Sequence, residues 1–308
     1  MQRGPDKSIA RRSGPEWTGR PERGNTLALR FIVGVALTLG RRAARWLLYP
    51  TCAYFVFFSG KARAASKDYL RRALAREPRT SDLLTHCLTF ASTILDRVFL
   101  LKGQYAQFDV RTHGESLVKD MVASGHGCFL LGAHMGSFEV IRALGNDAQG
   151  LRVSLVMYEE NARKLNSVLD AIKPERAPQV IALGKVDAML KVEQALKRGD
   201  FVGMLGDRTI AGEGTVTCSF LGAPAQFPLG PFRLAAMLDR PIVLMFGLYR
   251  GDNRYDIHFE KLEQPERVAG APRNAHLEQS VQRYVERLEH YCRSAPYNWF
   301  NFYDYWRH

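Results

Sequence analysis

Among the residues of this chain that can do chemistry, His134 has the most suggestive surroundings. It follows an apolar run, Cys128 to Leu131, and Gly132, and a carboxylate, Glu139, comes five residues later. The pattern reads as strand, tight turn, helix. That order puts the imidazole at a strand's carboxyl end, where open α/β sheets hold their ligands and where a general base would work. On a continuous helix, residues five apart point about 140° away from each other, so His134 must precede the helix for Glu139 to reach it. The expectation is that Glu139 fixes the imidazole tautomer and balances its charge while His134 takes a proton. One histidine and one glutamate make no ligand set, so the pair implies no metal.

Two further groups stand near turns. Asp207 and Arg208 directly follow the apolar run 201–205, at what reads as the same sheet edge as His134. An arginine in a crevice binds phosphate or carboxylate bidentately, and a neighbouring aspartate can bond a hydroxyl or fix the arginine's fork. Both are therefore assigned to substrate binding and not to proton transfer. Residues 217–235 hold Gly222, Pro224, Pro228 and Gly230 in what reads as a loop. There the prolines stiffen the backbone, the glycines allow close approach, and a helix starting near Gly230 would aim free N–H groups at an anion or oxyanion.

The elements that must position these residues alternate. Two helices fit the apolar spacing in 61–102, a strand fits 107–114, and a helix fits 115–124 and stops at Gly125. After the His134 block come a strand at 151–157, a helix at 162–172, a strand at 179–183, a helix at 187–197 and a strand at 201–205. Further strands fit 241–249 and 255–260, and a long amphipathic helix fits 275–292. Alternating strands and helices predict an α/β fold with a mostly parallel central sheet flanked by helices. The chain has no G-x-G-x-x-G, Walker loop or G-x-S-x-G, which leaves nucleotide binding and serine hydrolysis without support.

The formal charge of +12 is concentrated at one end. Residues 1–80 hold 17 Lys and Arg against 5 Asp and Glu, and the rest of the chain is balanced. Residues 1–24 read as a disordered basic tail. Residues 25–60 carry two apolar runs with interleaved arginines and aromatics, interrupted by Arg30 and Pro50 and each too short to span a bilayer. They are expected to be interfacial helices on an anionic membrane surface, with a buried helical hairpin as the alternative and no signal peptide. Residues 61–308 form the remaining domain. A non-enzymatic peripheral membrane or nucleic-acid-binding protein is the rival class, but charge interleaved with apolar side chains favours lipid over nucleic acid. The five cysteines are scattered, form no C-x-x-C pair and read as free thiols, with Cys128 a core residue.

The stretch His134-Met135-Gly136-Ser137-Phe138-Glu139 resembles the H-x4-D/E block of the lysophospholipid acyltransferase superfamily. It is most similar to the lipid A biosynthesis (lauroyl/myristoyl) branch, where the block reads His-Phe-Gly-Asn-Trp-Glu. Asp207 and Arg208 match the start of that branch's Asp-rich motif. Phe220, Gly222, Pro224, Ala225, Pro228 and Gly230 match its Phe-Phe-Gly-x-Pro-Ala-x-x-Pro-x-Gly block. The resemblance covers roughly residues 27–306 and departs from the branch at the end, where Asn298-Trp299-Phe300 replaces part of a Pro-x-Gln-Trp-x-Trp motif. It implies a glycerol-3-phosphate-acyltransferase-like fold and transfer of a fatty acyl chain from an acyl carrier protein or coenzyme A thioester to a hydroxyl or amine of a lipid or glycolipid. It also implies His134 as general base, Gly136 as a substrate-binding residue beside those above, no cofactor, and a peripheral or monotopic place on the cytoplasmic face of a bacterial inner membrane.

Overall fold

The computed structural model describes residues 26–146, 151–158, 179–183, 187–210, 212–263, 265, 272 and 274–307. The basic tail at 1–24 and the helix expected at 162–172 lie outside them. Nine strands are present among the described residues: β1 (Asp109–His113), β2 (Cys128–Gly132), β3 (Val153–Tyr158), β4 (Gln179–Leu183), β5 (Phe201–Leu205), β6 (Thr215–Phe220), β7 (Ala223–Pro228), β8 (Ile242–Tyr249) and β9 (Arg254–Leu262). Seven of them form one sheet in the order β1-β9-β8-β2-β5-β3-β4. The five strands from β8 to β4 run parallel, while β9 turns back antiparallel to β8 and carries β1 parallel to itself.

The centre of this sheet is covered on both faces, which is why β2 and β8 are apolar throughout and wholly buried. Alternate residues of β2 serve opposite cores. Phe129 and Leu131 pack towards Val281, Val285 and Leu288 of helix α7 (Ala275–Ser294), and Cys128 and Leu130 pack with Leu95, Val98 and Phe99 of helix α3 (Thr80–Leu101). The other α-helices among the described residues are α1 (Thr26–Phe58), α2 (Gly60–Leu74), α4 (Glu115–Ala123), α5 (Ala188–Lys197) and α6 (Gly230–Met237).

Helix α1 departs from the expected pair of short helices. It kinks at Gly40, which takes φ 80°, and runs on through Pro50 to Phe58. Pro50 lies on the exposed side, so the carbonyl its ring leaves unpaired can meet solvent. Ala44, Leu48, Cys52 and Val56, four apart, make a buried ridge, while Trp46, Tyr54, Phe57 and Phe58 stay exposed. Arg41 forms a bidentate pair with the buried Asp96 of α3 at 2.6 and 2.9 Å, and Tyr255 donates to the same carboxylate at 2.9 Å. Truncating α1 would strand Asp96, a cost of about 3–5 kcal/mol for a broken buried pair. This helix is therefore part of the fold as well as a candidate membrane surface. Helix α3 is long and apolar enough to cross a membrane by length and composition, but more than half of its apolar window is buried, as in a core helix.

Candidate active site

Strands β2 and β5 are parallel neighbours, and Gly132 pairs in register with Leu205. Two residues further on, the first chain reaches His134 and the second reaches Asp207, so adjacent strand ends deliver the two side chains at the same level, one strand spacing apart. The Nδ1 of His134 lies 2.8 Å from Oδ1 of Asp207, and the His134 backbone N–H donates to Oδ2 at 3.0 Å. Oδ2 also accepts from the Trp299 indole and the Asn301 amide, each at 3.0 Å. Asp207 is completely buried, while the His134 side chain keeps 27% exposure.

These contacts fix the protonation states. Burial by itself would raise the Asp207 carboxyl, but His134, Arg208 and the Asn301 amide outweigh it and hold it well below the ordinary carboxylate range. An ionised Asp207 requires the hydrogen of His134 to sit on Nδ1, which leaves Nε2 with its lone pair; among the described residues no group bonds Nε2. Burial, followed by the charge of Arg208, lowers the His134 pKa below its usual value, with Asp207 opposing. The imidazole is therefore mostly neutral at pH 7, the state in which a ring nitrogen can accept a proton.

The expected His134–Glu139 contact is not what the structure shows. After β2 the chain enters a short turn and then a 3-10 helix, Glu139–Asn146, in place of an α-helix. The Glu139 carboxylate turns to Arg97 of α3 and forms an ion pair with it. The residue that holds the imidazole is Asp207, which the sequence reading placed in the substrate-binding wall. The physical reason is register: parallel pairing of β2 with β5 brings a carboxylate 73 positions away closer to Nδ1 than the local turn brings one five positions away.

Gly136 takes φ +56°, and a Cβ there would stand 1.9 Å from the Gly247 carbonyl oxygen. This glycine is required by backbone packing: its N–H donates to the Asn298 carbonyl at 2.8 Å, and the next N–H donates to the Gly247 carbonyl at 2.8 Å. Arg208 donates through Nε to Oδ1 of Asn301 at 2.7 Å and to the Phe300 carbonyl at 3.2 Å. It thus braces the residue that braces Asp207.

Residues 215–228 form a hairpin where a loop was expected, and the helix expected near Gly230 follows it as α6. Strands β6 and β7 pair antiparallel around a Leu221-Gly222 turn in which both residues have positive φ. Pro224 and Pro228 sit in the second strand, where an isolated two-stranded ribbon tolerates the missing donors. The N-terminus of α6 at Gly230 is closely approached by the Glu213 carboxylate. Among the described residues no hydrogen bond joins Gly222, Pro224, Pro228 or Gly230 to His134 or Asp207. Instead the hairpin supports the site from behind: Phe220 packs edge-on against Trp299, and Phe227 against Tyr284 and Tyr305.

The C-terminal segment 296–306 is the part of the site that sequence reasoning missed. Phe300 N–H donates to the His134 carbonyl at 2.7 Å, Tyr305 donates to the Asp207 carbonyl at 2.8 Å, and Trp299 and Asn301 hold the carboxylate. His86 of α3 is wholly buried between Ser66 and the Trp299 carbonyl, 2.8 Å from each, and so ties α2, α3 and the C-terminal segment together. The available signal was the dense run of aromatics and asparagines in 297–306 itself. Such residues are commonly both packed and hydrogen-bonded when buried.

A family model for bacterial lipid A biosynthesis acyltransferases matches residues 95–308, more than half of the chain. Comparison with curated protein sequences finds no match. The matched span contains His134, Asp207, the hairpin and the C-terminal brace. Membership carries acyltransferase activity, with an acyl donor and a lipid acceptor, as its general implication. Because that match covers more than half of the chain, the chain belongs to the bacterial lipid A biosynthesis acyltransferase family.

Proposed function

We propose that the protein transfers a fatty acyl chain from an acyl carrier protein or coenzyme A thioester to a hydroxyl or amine of a lipid acceptor, with His134 as general base and Asp207 as its orienting partner. The observation that carries this reading is the 2.8 Å contact between His134 Nδ1 and a buried, ionised Asp207, which leaves Nε2 as a proton acceptor. In the proposed reaction, Nε2 takes the proton of the acceptor O–H or N–H as that atom bonds to the thioester carbonyl carbon. Asp207 stabilises the imidazolium so formed. The tetrahedral intermediate then expels the thiolate, and the proton on Nε2 passes to the sulfur, so the enzyme returns unchanged without an acyl-enzyme. Glu139 and Arg97 are assigned to an ion pair beside the base, and Arg208 to the brace behind it.

The protein is further proposed to work as a peripheral or monotopic protein on the cytoplasmic face of a bacterial inner membrane. Support comes from the outer side of α1, where Trp46 is 75% and Phe58 71% exposed, with Arg42, Lys61 and Arg63 around them. Exposed aromatics rimmed by cations suit the headgroup boundary of an anionic leaflet. Family membership favours the enzyme over the non-enzymatic alternative. Replacing His134 with Ala tests the chemistry: acyl transfer should fall by about 10²–10⁴ while the melting temperature holds. Activity within a few-fold of the unsubstituted protein would remove His134 from the reaction.

A further inference from the structure

A second cluster of chemically capable residues lies at the sheet edge formed by β1 and β9. The two strands are parallel, with His113 in register with His258 and Arg111 in register with Asp256. Parallel partners point to the same face, and so do residues two apart on one strand, so His113, His258 and Asp256 share one face by construction. The two imidazoles stack with centroids 4.4 Å apart and planes 8° from parallel. One ligand-capable atom from each of the three side chains lies within 4.8 Å of the others. The Nε2 atom of His258 is buried and has no hydrogen-bond partner among the described residues. A buried ring nitrogen without a partner is a cost that native structures seldom leave unmet.

We propose that His113, His258 and Asp256 bind a borderline divalent transition-metal ion, with Zn²⁺ the best fit, and that the ion ties the edge strand β1 to β9. Two imidazoles and one carboxylate are the donor types this class of ion prefers over Mg²⁺ or Ca²⁺, and a water completes four-coordination. Ligand bonds of about 2.0–2.2 Å require the three donor atoms to close in from their present spacing. His113 makes that possible, because it is exposed and ends its strand, so its ring can swing while His258 stays fixed by the sheet. Arg250 holds Asp256 through Oδ2 at 2.7 Å. A carboxylate has a second oxygen for the metal, and the arginine then acts as the outer partner that orients it. None of the three residues belongs to the His134 site, so the proposal stands or falls independently of the acyl-transfer mechanism.

The test is calorimetric titration of ZnCl₂ into untagged full-length protein in detergent after treatment with chelator. One equivalent is expected to bind with micromolar or tighter affinity and to raise the Tm. His113→Ala and His258→Ala should each weaken binding at least ten-fold and abolish the Tm rise, while acyl transfer by the metal-free variants stays at the unsubstituted level. Should His258→Ala fail to fold, His113→Ala at the exposed strand end carries the test alone. Co²⁺ in place of Zn²⁺ should give visible absorption bands of a four-coordinate nitrogen and oxygen site, absent in His113→Ala. No saturable heat, or binding that survives loss of His113, overturns the proposal.

Discussion

Replacing Asp207 with Asn separates orientation of the proposed base from folding of the site. The two carboxylate oxygens have different surroundings: Oδ2 accepts from the His134 backbone, Trp299 and Asn301, while Oδ1 lies against Nδ1 of His134. An asparagine must therefore place its carbonyl oxygen at the three-donor position and its NH₂ against the imidazole. Nδ1 then has to accept, the ring hydrogen moves to Nε2, and the lone pair that should take the acceptor's proton is gone. The substitution is isosteric and keeps three of four hydrogen bonds, so the loss of stability should be confined to weaker, uncharged bonds, roughly 1–3 kcal/mol. The loss of rate should be far larger, about 10²–10⁴ in kcat, the range for removing a positioned base. Release of free thiol from an acyl thioester donor, followed continuously beside a thermal melt, measures both. A kcat within ten-fold of the unsubstituted enzyme would refute the Asp207–His134 pairing as the source of activity. By the same geometry Glu139→Gln should cost less than Asp207→Asn, because Glu139 faces Arg97.

Other outcomes follow from the charges and surfaces around the site. Activity should fall as pH drops through the lowered His134 pKa, because only the neutral imidazole is a base; Arg208→Ala removes a cation that disfavours imidazolium, so the acid limb of kcat against pH should move to higher pH. An unchanged limb would place Arg208 too far from the ring to matter. Stability should also decline in acid. Burial lowers the His86 pKa from 6.5 to about 4, so the unfolded chain binds the extra proton first and roughly 3 kcal/mol is lost as pH falls through that window. His134 and His258 act in the same direction, whereas the depressed Asp207 and Asp82 contribute only below their ordinary value of 3.8. Melts between pH 7 and 4 that stayed flat would contradict this account. Finally, Trp46→Glu with Phe58→Glu should weaken flotation with anionic liposomes without lowering the Tm, since both side chains are exposed; undiminished flotation would take the membrane surface away from α1.

The sequence by itself determined what local chemistry can determine. Strand β2 was legible because a run of apolar residues ended at glycine, and β5 and β8 because they are short, apolar and bounded by turn residues. With their alternating helices these gave the mostly parallel sheet, and His134 and Asp207 were legible as residues at strand ends. What the sequence could not supply is which strand lies beside which. That depends on burial of both faces of the whole sheet, a sum over distant side chains, and it decided that His134 meets Asp207 and not Glu139. It also decided that the proline block folds as a hairpin supporting Trp299, and that Trp299, Asn301 and Tyr305, nearly a hundred positions from Asp207, return to hold it. His113 and His258 show the same limit. Local spacing sees only neighbours along the chain, whereas parallel register brings two rings 145 positions apart into a stack 4.4 Å deep.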